Sequence, residues 1–200
     1  MHRLVPAFLA VAIAATPVMA FAQDRPLLVP TRDVSVTYRV VGGQAGQEMR
    51  MSWRVADQKL RVDMPGGIGW SVMDQRSKKM FVVMEQQRMI MEVPLNNGPG
   101  GVSVPTQPPE TARFTRGGTA TIAGQGCTVW RYENEGVTGE SCLTADGVML
   151  RSTGTHNGQT ASMEATEVAY GPQDAARFNA PSGYQQMQMP AGAPGARPAR

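Results

Sequence analysis

The sequence predicts an all-β protein with little helix, folded as a curved antiparallel sheet or a half-closed barrel. Apolar and polar residues alternate along several successive segments, which is the pattern of strands with one solvated face. Gly, Asn and Asp residues at turns separate these segments. No segment keeps a helical period for more than about two turns. About ten strands are expected on this basis.

The first half of the chain shows the alternation most clearly. DVSVTYRVV, QEMRMSWRVA and KLRVDM form a meander, and GWSVMDQ, KKMFVVM and RMIMEV continue it. KKMFVVM is apolar on both faces, which indicates a central strand covered on both sides. The inward positions of the first three strands are Val34, Val36, Tyr38, Val40, Met49, Met51, Trp53, Val55, Leu60, Val62 and Met64.

The second half contains further strands and two irregular regions. Residues 94–110 carry five prolines and three glycines and are expected to form a long loop. The strands then resume in ARFTRGGTATIAG, GVMLRSTGT and TASMEATEVAY, with a turn at Asp146–Gly147. PQDAARF is expected to form one helical turn. The sequence thus predicts one β domain over residues 30–184, followed by a disordered Pro/Gly/Ala-rich tail over 185–200.

The N-terminus has the features of a secretory signal peptide covering residues 1–22. Arg3 precedes an apolar run from Leu4 to Ala15, and Ala20 and Ala22 form an A-x-A cleavage site. The apolar run is too short for a membrane span of roughly 30 Å. No cysteine lies near the site, so acylation as a lipoprotein is not expected. The protein is predicted to be exported to the periplasm without a transmembrane segment.

Two cysteines, Cys127 and Cys142, flank the turn-forming stretch NEGVTG. An even pair in an exported chain favours a disulfide. The sequence shows neither the C-x-x-C of redox couples nor the four ligands of a structural zinc site. A hairpin centred between Asn134 and Glu135 would place the cysteines directly opposite each other. In that hairpin Trp130 points to the core, and the disulfide braces the outer face.

Charge and titratable residues argue against several functions. The formal net charge is +3, with the signs interspersed, and this predicts no nucleic-acid partner. His156 is the only histidine beyond the signal peptide, so a site with two histidines is excluded. The carboxylates are scattered singly along strand exteriors, where solvated faces explain them. No catalytic residue, metal ligand or cofactor is therefore assigned, and we expect no enzyme.

Methionine is unusually frequent, with twelve residues after the signal peptide. Most occupy inward strand positions, where methionine packs the core or forms an adaptable apolar surface. Thioethers also suit Cu(I), which leaves copper binding as a weaker alternative. Trp and Met side chains on the inner face must either fill it or line a cavity. The expected ligand-binding residues are Trp53, Trp70, Trp130, Met49, Met51, Met80 and Met84.

Several motifs together resemble the exported domain-of-unknown-function family 4412. They are D-Q-K-L-R-V-D, G-W-x-x-x-D, G-Q-G-C-T-V-W-R and C-L-T-A-D-G-V-x-L-R, closing with F-x-x-P-x-G-Y-x-x-M. The resemblance covers about residues 30–189 and implies a fold similar to the lipoprotein carriers LolA and LolB. It implies no enzymatic activity. Those carriers close the barrel with helices, whereas the corresponding connection here is the loop 94–110.

These observations predict a periplasmic, non-enzymatic β domain that binds a hydrophobic ligand, such as a lipid or acyl chain, in a concavity lined by Met and Trp. The alternative is an envelope structural or interaction protein with a filled core. Such a protein would dock a partner through a sheet edge or the loop 94–110.

Overall fold

A computed structural model describes residues 25–41, 47–95, 111–134, 137–156 and 159–188. It contains one twelve-stranded sheet, which confirms the predicted all-β class. Regular helix is limited to three short 3₁₀ turns in these ranges. The strands are β1 (Val34–Val41), β2 (Glu48–Arg54), β3 (Lys59–Asp63), β4 (Gly69–Asp74), β5 (Lys79–Met84), β6 (Met89–Pro94), β7 (Arg113–Ile122), β8 (Gln125–Asn134), β9 (Val137–Leu143), β10 (Met149–His156), β11 (Gln159–Tyr170) and β12 (Gln185–Gln188).

The strand order follows from two meanders joined through β1. It runs β12-β6-β5-β4-β3-β2-β1-β11-β10-β9-β8-β7, so β1 pairs with both β2 and β11. All pairings are antiparallel except that of β12 with β6, which is parallel. The segment from residue 185, expected to be disordered, therefore contributes a strand over Gln185–Gln188. Most of the loop predicted over 94–110, and the tail beyond residue 188, lie outside the described residues.

One side of the sheet, here called the core face, carries Val34, Val36 and Tyr38 of β1. Buried residues from β1 to β11 join a single hydrophobic cluster. No helical layer covers this face in the part of the chain that the structure describes. The sheet instead curls upon itself, and β7 approaches β11 although the two are not neighbours in the strand order.

The opposite side, here called the outer face, has a smaller core of its own. Phe178 lies on the 3₁₀ turn Ala175–Phe178 and is 1% exposed. It packs with Val72 and Val83 of the outer face in a second hydrophobic cluster. Asp174 caps the turn by accepting a hydrogen bond from the Ala176 amide. The helical turn expected in PQDAARF is thus present, and it explains why β4 and β5 are apolar on both faces.

The disulfide Cys127–Cys142 is formed, but the predicted register is wrong by two residues. Asn134 pairs with Val137, and Cys142 lies opposite Val129. A shift by an even number of residues preserves the faces, so Trp130 still points to the core face. The disulfide does not lie on an exposed surface, however. Cys127 and Cys142 are 5% and 1% exposed and belong to the main cluster.

Candidate functional site

The deepest part of the core face is a row of apolar side chains that crosses six neighbouring strands. Each residue pairs with the next in the ladders from β1 to β6, and all of them are buried. Trp53 and Met80, both predicted to bind ligand, belong to this row and pack the core. The row consists of Val34, Trp53, Leu60, Met73, Met80 and Val93.

Towards one end of the same face, the side chains become half-buried instead of buried. They stand on β2, β3, β5 and β6. The corresponding positions on β4 are Ser71, which has a short side chain, and Gly69, which has none. This surface, called here the methionine strip, holds no charged residue. Four interstrand spacings separate β2 from β6, about 19 Å in all. The strip consists of Met49, Val62, Val82, Met84, Met89 and Met91.

The structure separates the predicted ligand-binding residues into three groups, two of which lie on the core face. Trp53, Met51, Met80 and Trp130 are buried on the core face. Met49 and Met84 lie in the methionine strip.

Trp70 lies on the outer face, which corrects its assignment to the same site. Its Nε1 donates a hydrogen bond to Glu85 Oε1 over 2.7 Å. The Arg61 guanidinium stacks 3.8 Å from the centre of its ring, and Phe81 packs edge-on at 5.6 Å between centroids. The alternation in GWSVMDQ defines two faces but does not say which one meets the main core, and both faces proved to be buried.

The interior of the core face is nearly filled. A cavity beside Tyr38, Met51 and Trp53 has a volume of about 40 Å³, little more than one water molecule occupies in the liquid. Trp53 Nε1 is buried without a hydrogen-bond partner among the described residues, and Trp53 lines this cavity, which has room for a water molecule. Within the described residues, the space beside Trp53 is too small for a ligand, because Tyr38, Met149 and the segment from Leu28 to Pro30 close it.

Tyr38 closes the cavity through a hydrogen bond as well as by packing. Its hydroxyl is buried and donates to the Met149 carbonyl oxygen over 2.6 Å. Burial raises the pKa of Tyr38 well above the ordinary value for tyrosine, because a phenolate would lose its hydration there. The hydroxyl thus ties β1 to the start of β10 in its neutral form.

Further concave regions lie on the outer face. One, of about 210 Å³, lies between the sheet and the segment Ala180–Met187, with Val72, Phe81 and Ile90 in its lining and Lys79 paired to Glu92 at 2.6 Å. Another is an open, polar groove of about 510 Å³ across β7–β10. Beside it Glu140 contacts Arg131 and Arg151 at 3.7 Å each. Such exposed pairs stabilise a fold by about 0 to 1 kcal/mol.

A conventional metal site is not found among these residues. Within the described ranges, no group of three or more His, Cys, Asp or Glu side chains is placed to hold a metal ion. Nor does any helix in those ranges have the length and apolar character needed to cross a membrane.

The expected ligand-binding residues did not include four members of the methionine strip: Val62, Val82, Met89 and Met91. The alternation in RMIMEV did predict a strand, and Met89 and Met91 share one face of it. Assigning that face to the strip required the register of β5 with β6, which places Met89 opposite Met84 and Met91 opposite Val82. The register depends on a turn that carries no diagnostic Asn-Gly or Asp-Gly pair.

The family described as Domain of unknown function (DUF4412) has a model that matches residues 41–150, more than half of the chain. The chain belongs to the DUF4412 family. The matched range runs from the end of β1 to β10 and includes the methionine strip and both cysteines. No functionally characterised curated protein matches this DUF4412 chain.

Solved structures resemble the DUF4412 chain in fold at low sequence identity. An uncharacterized conserved protein from Thermus thermophilus has a TM-score of 0.56 and 13% identity, covering 80% of this chain and 91% of that one. PNGF-II has a TM-score of 0.51 and 13% identity, and the match spans 80% of this chain but only 32% of PNGF-II. A putative outer membrane lipoprotein-sorting protein domain from Vibrio parahaemolyticus has a TM-score of 0.39 and 10% identity, over 74% and 89% of the two chains.

Proposed function

We propose that this DUF4412 protein is a non-enzymatic periplasmic binding domain that holds an apolar chain, such as an acyl chain, on the methionine strip. The observation that carries the proposal is the strip itself, a set of half-buried apolar side chains on one face with no charge among them. Methionine suits such a surface because its unbranched thioether side chain adapts to varied ligands.

The filled core determines how the ligand would bind. An acyl chain does not fit the 40 Å³ cavity beside Trp53, so it would lie along the surface, with one side in contact with the strip. Covering roughly 200 Å² of apolar surface at about 25 cal/mol per Å² contributes about 5 kcal/mol before the costs of association. We therefore expect weak, reversible binding that tolerates different chain lengths.

Periplasmic residence is part of the proposal and has two supports. The first 22 residues have the pattern of a signal peptide. Cys127 and Cys142 form a disulfide, and structural disulfides persist mainly in oxidising compartments such as the periplasm.

Titration with a fluorescent fatty acid such as dansyl-undecanoate tests the proposal. Val82→Asp and Met49→Asp place a carboxylate in the strip, and we expect either change to weaken binding at least tenfold. Thr115→Asp is the matched control, because Thr115 is exposed on the outer face and the same charge there should leave binding unchanged. Circular dichroism verifies that each variant is folded. Equal binding by all four proteins, or no saturable binding by the wild type, would refute the proposal.

One observation favours the alternative, an envelope interaction protein. β7 is ten residues long and is the last strand in the sheet order, with β8 as its ladder partner among the described strands. Edge strands of this kind accept a strand from a partner. Native mass spectrometry of protein isolated from the periplasm separates the two functions. Co-purified lipid supports the acyl-chain proposal, whereas a discrete adduct formed by a photocrosslinking residue at Thr119 supports docking at β7.

A further inference from the structure

The β5–β6 hairpin places three thioether side chains next to one another at the end of the core face. Met84 and Met89 are directly opposite each other in the antiparallel ladder. Met91 follows Met89 on the same face, beside Val82. Directly opposed residues have Cβ atoms about 5 Å apart, and diagonal neighbours about 7–8 Å apart. The three long, flexible methionine side chains can therefore bring their sulfur atoms to a common point.

These three methionines differ from the buried methionines of the core face in what they contact. Met51, Met73, Met80, Met149 and Met163 are buried members of the main cluster. Met84 and Met89 belong to neither hydrophobic cluster of the described residues, and Met91 is only half-buried against the core. Core packing therefore does not explain why Met84 and Met89 are thioethers.

The acidic residue next to this group in sequence is engaged on the other side of the sheet. Glu85 follows Met84 directly, but its two carboxylate oxygens accept hydrogen bonds from Trp70 Nε1 and the Tyr184 hydroxyl on the outer face. The two cysteines are consumed by their disulfide. The donor set is thus uniformly soft. Soft thioether ligands select Cu(I), whereas Mg²⁺, Ca²⁺ and Cu(II) prefer harder oxygen or nitrogen ligands.

From this arrangement we infer a Cu(I)-binding site formed by the sulfur atoms of Met84, Met89 and Met91. Met187 is the register neighbour of Met91 on β12 and is 51% exposed, so it is available as a fourth donor at the sheet edge. The partial exposure of the group gives a Cu(I) ion access from solvent. The inference does not depend on the acyl-chain proposal, because it uses the sulfur atoms of the strip and not its apolar area.

Anaerobic titration of the full-length protein with Cu(I), in competition with the chromophoric chelator bicinchoninate, tests the site. We expect the wild type to bind one equivalent of Cu(I), and the triple variant Met84→Leu, Met89→Leu, Met91→Leu to bind at least 100-fold more weakly. Leucine is close to methionine in volume, so the triple variant should stay folded. The matched control is Met51→Leu, Met73→Leu, Met80→Leu, which removes three thioethers from the buried part of the same face and should leave the affinity unchanged.

A site-resolved measurement complements the titration. With ¹³C-methyl-labelled methionine, Cu(I) should shift the ε-methyl signals of Met84, Met89 and Met91 and leave those of Met73 and Met80 in place. Stoichiometric binding that survives the triple substitution, or no binding by the wild type, would overturn the inference. Met49→Asp, which lies on β2 outside the sulfur group, should lose affinity for dansyl-undecanoate while keeping its affinity for Cu(I). Failure of one proposal is therefore distinguishable from failure of the other.

Discussion

Cys127 and Cys142 are joined by a disulfide although they are not opposite each other in the β8–β9 ladder. Cys142 is paired with Val129 of β8. Cys127 lies two residues before Val129 on β8, and its own ladder partner on β7 is Ala120. Their Cα atoms are 5.4 Å apart, well within the range that a disulfide spans. The bond therefore runs diagonally between the two strands and fixes their register.

Replacing both cysteines with alanine should lower the free energy of unfolding by about 3 kcal/mol. The bond closes a loop with a sequence separation of 15, and the chain-entropy model gives roughly that value for such a loop. Urea denaturation with and without dithiothreitol measures the effect. Dithiothreitol should destabilise the wild type and leave the double variant unaffected. A wild type that dithiothreitol fails to destabilise under unfolding conditions would show that the bond contributes nothing.

The sequence predicted much of the fold because period-2 alternation is a local signal. Val34, Val36 and Tyr38 were assigned to one face from their spacing alone, and all three are buried. The register of the cysteine hairpin was not predictable in the same way. NEGVTG permits several turn centres, and the choice depends on how β8 and β9 pack into the rest of the sheet. β12 was missed because it is a short, polar segment that pairs only with a distant strand.

Gly147→Ala should destabilise the protein by at least about 2 kcal/mol. Gly147 has a φ of +87°, and a Cβ built there would lie 2.3 Å from the Val29 carbonyl oxygen. The substitution thus combines backbone strain with a clash against a backbone atom. Gly124→Ala is the matched control, since Gly124 has a φ of +74° but nothing within 4 Å of its Cβ position.

Comparing the two glycine variants by urea denaturation isolates the contact with Val29. We expect Gly124→Ala to cost about 1 kcal/mol, from the left-handed conformation alone. Equal losses in the two variants would mean that the segment around Val29 moves away freely.

Tyr38→Phe should lower the free energy of unfolding by about 1–3 kcal/mol, because the buried Met149 carbonyl loses its donor. The variant should also change the response to alkali. Burial raises the pKa of Tyr38 in the folded state, so its stabilising effect is complete below the unfolded pKa of about 10 and declines as the pH rises further. Urea unfolding at pH 8 and above pH 10 measures both effects. The wild type should lose more stability than Tyr38→Phe over this interval, and parallel losses would contradict the assignment.

The candidate site was only partly predictable, for a physical reason visible at Trp70. Trp53 and Trp70 both stand in alternating strands, and both are buried. They face opposite sides of the sheet, because the turn containing Phe178 supplies a second core on the outer face. That turn lies more than 100 residues from Trp70 in sequence, so local alternation contains no information about it. Four of the six members of the methionine strip were likewise missed, since half-burial depends on where the curled sheet stops covering its own face.

Glu85→Gln should loosen the C-terminal segment that leads into β12. The carboxylate of Glu85 accepts hydrogen bonds from the Tyr184 hydroxyl over 2.6 Å and from Trp70 Nε1 over 2.7 Å. These bonds, first that from Tyr184 and then that from Trp70, lower the pKa of Glu85. Arg88 reinforces the attachment, since its carbonyl oxygen accepts a hydrogen bond from the Gln185 amide and its guanidinium lies 5.3 Å from the centre of the Tyr184 ring.

Because the folded pKa of Glu85 is depressed, the stabilising effect of this carboxylate is present above the unfolded pKa of about 4.3 and is lost as the pH falls through the folded value. Hydrogen exchange measured by mass spectrometry should show faster exchange in Gln185–Gln188 for Glu85→Gln at pH 7 than for the wild type. Glu133→Gln, a carboxylate on β8 far from β12 in the strand order, is the control and should leave exchange in β12 unchanged. If Glu85→Gln exchanges like the wild type, β12 is held by its ladder with β6 alone, and the Tyr184–Glu85 bond is incidental to it.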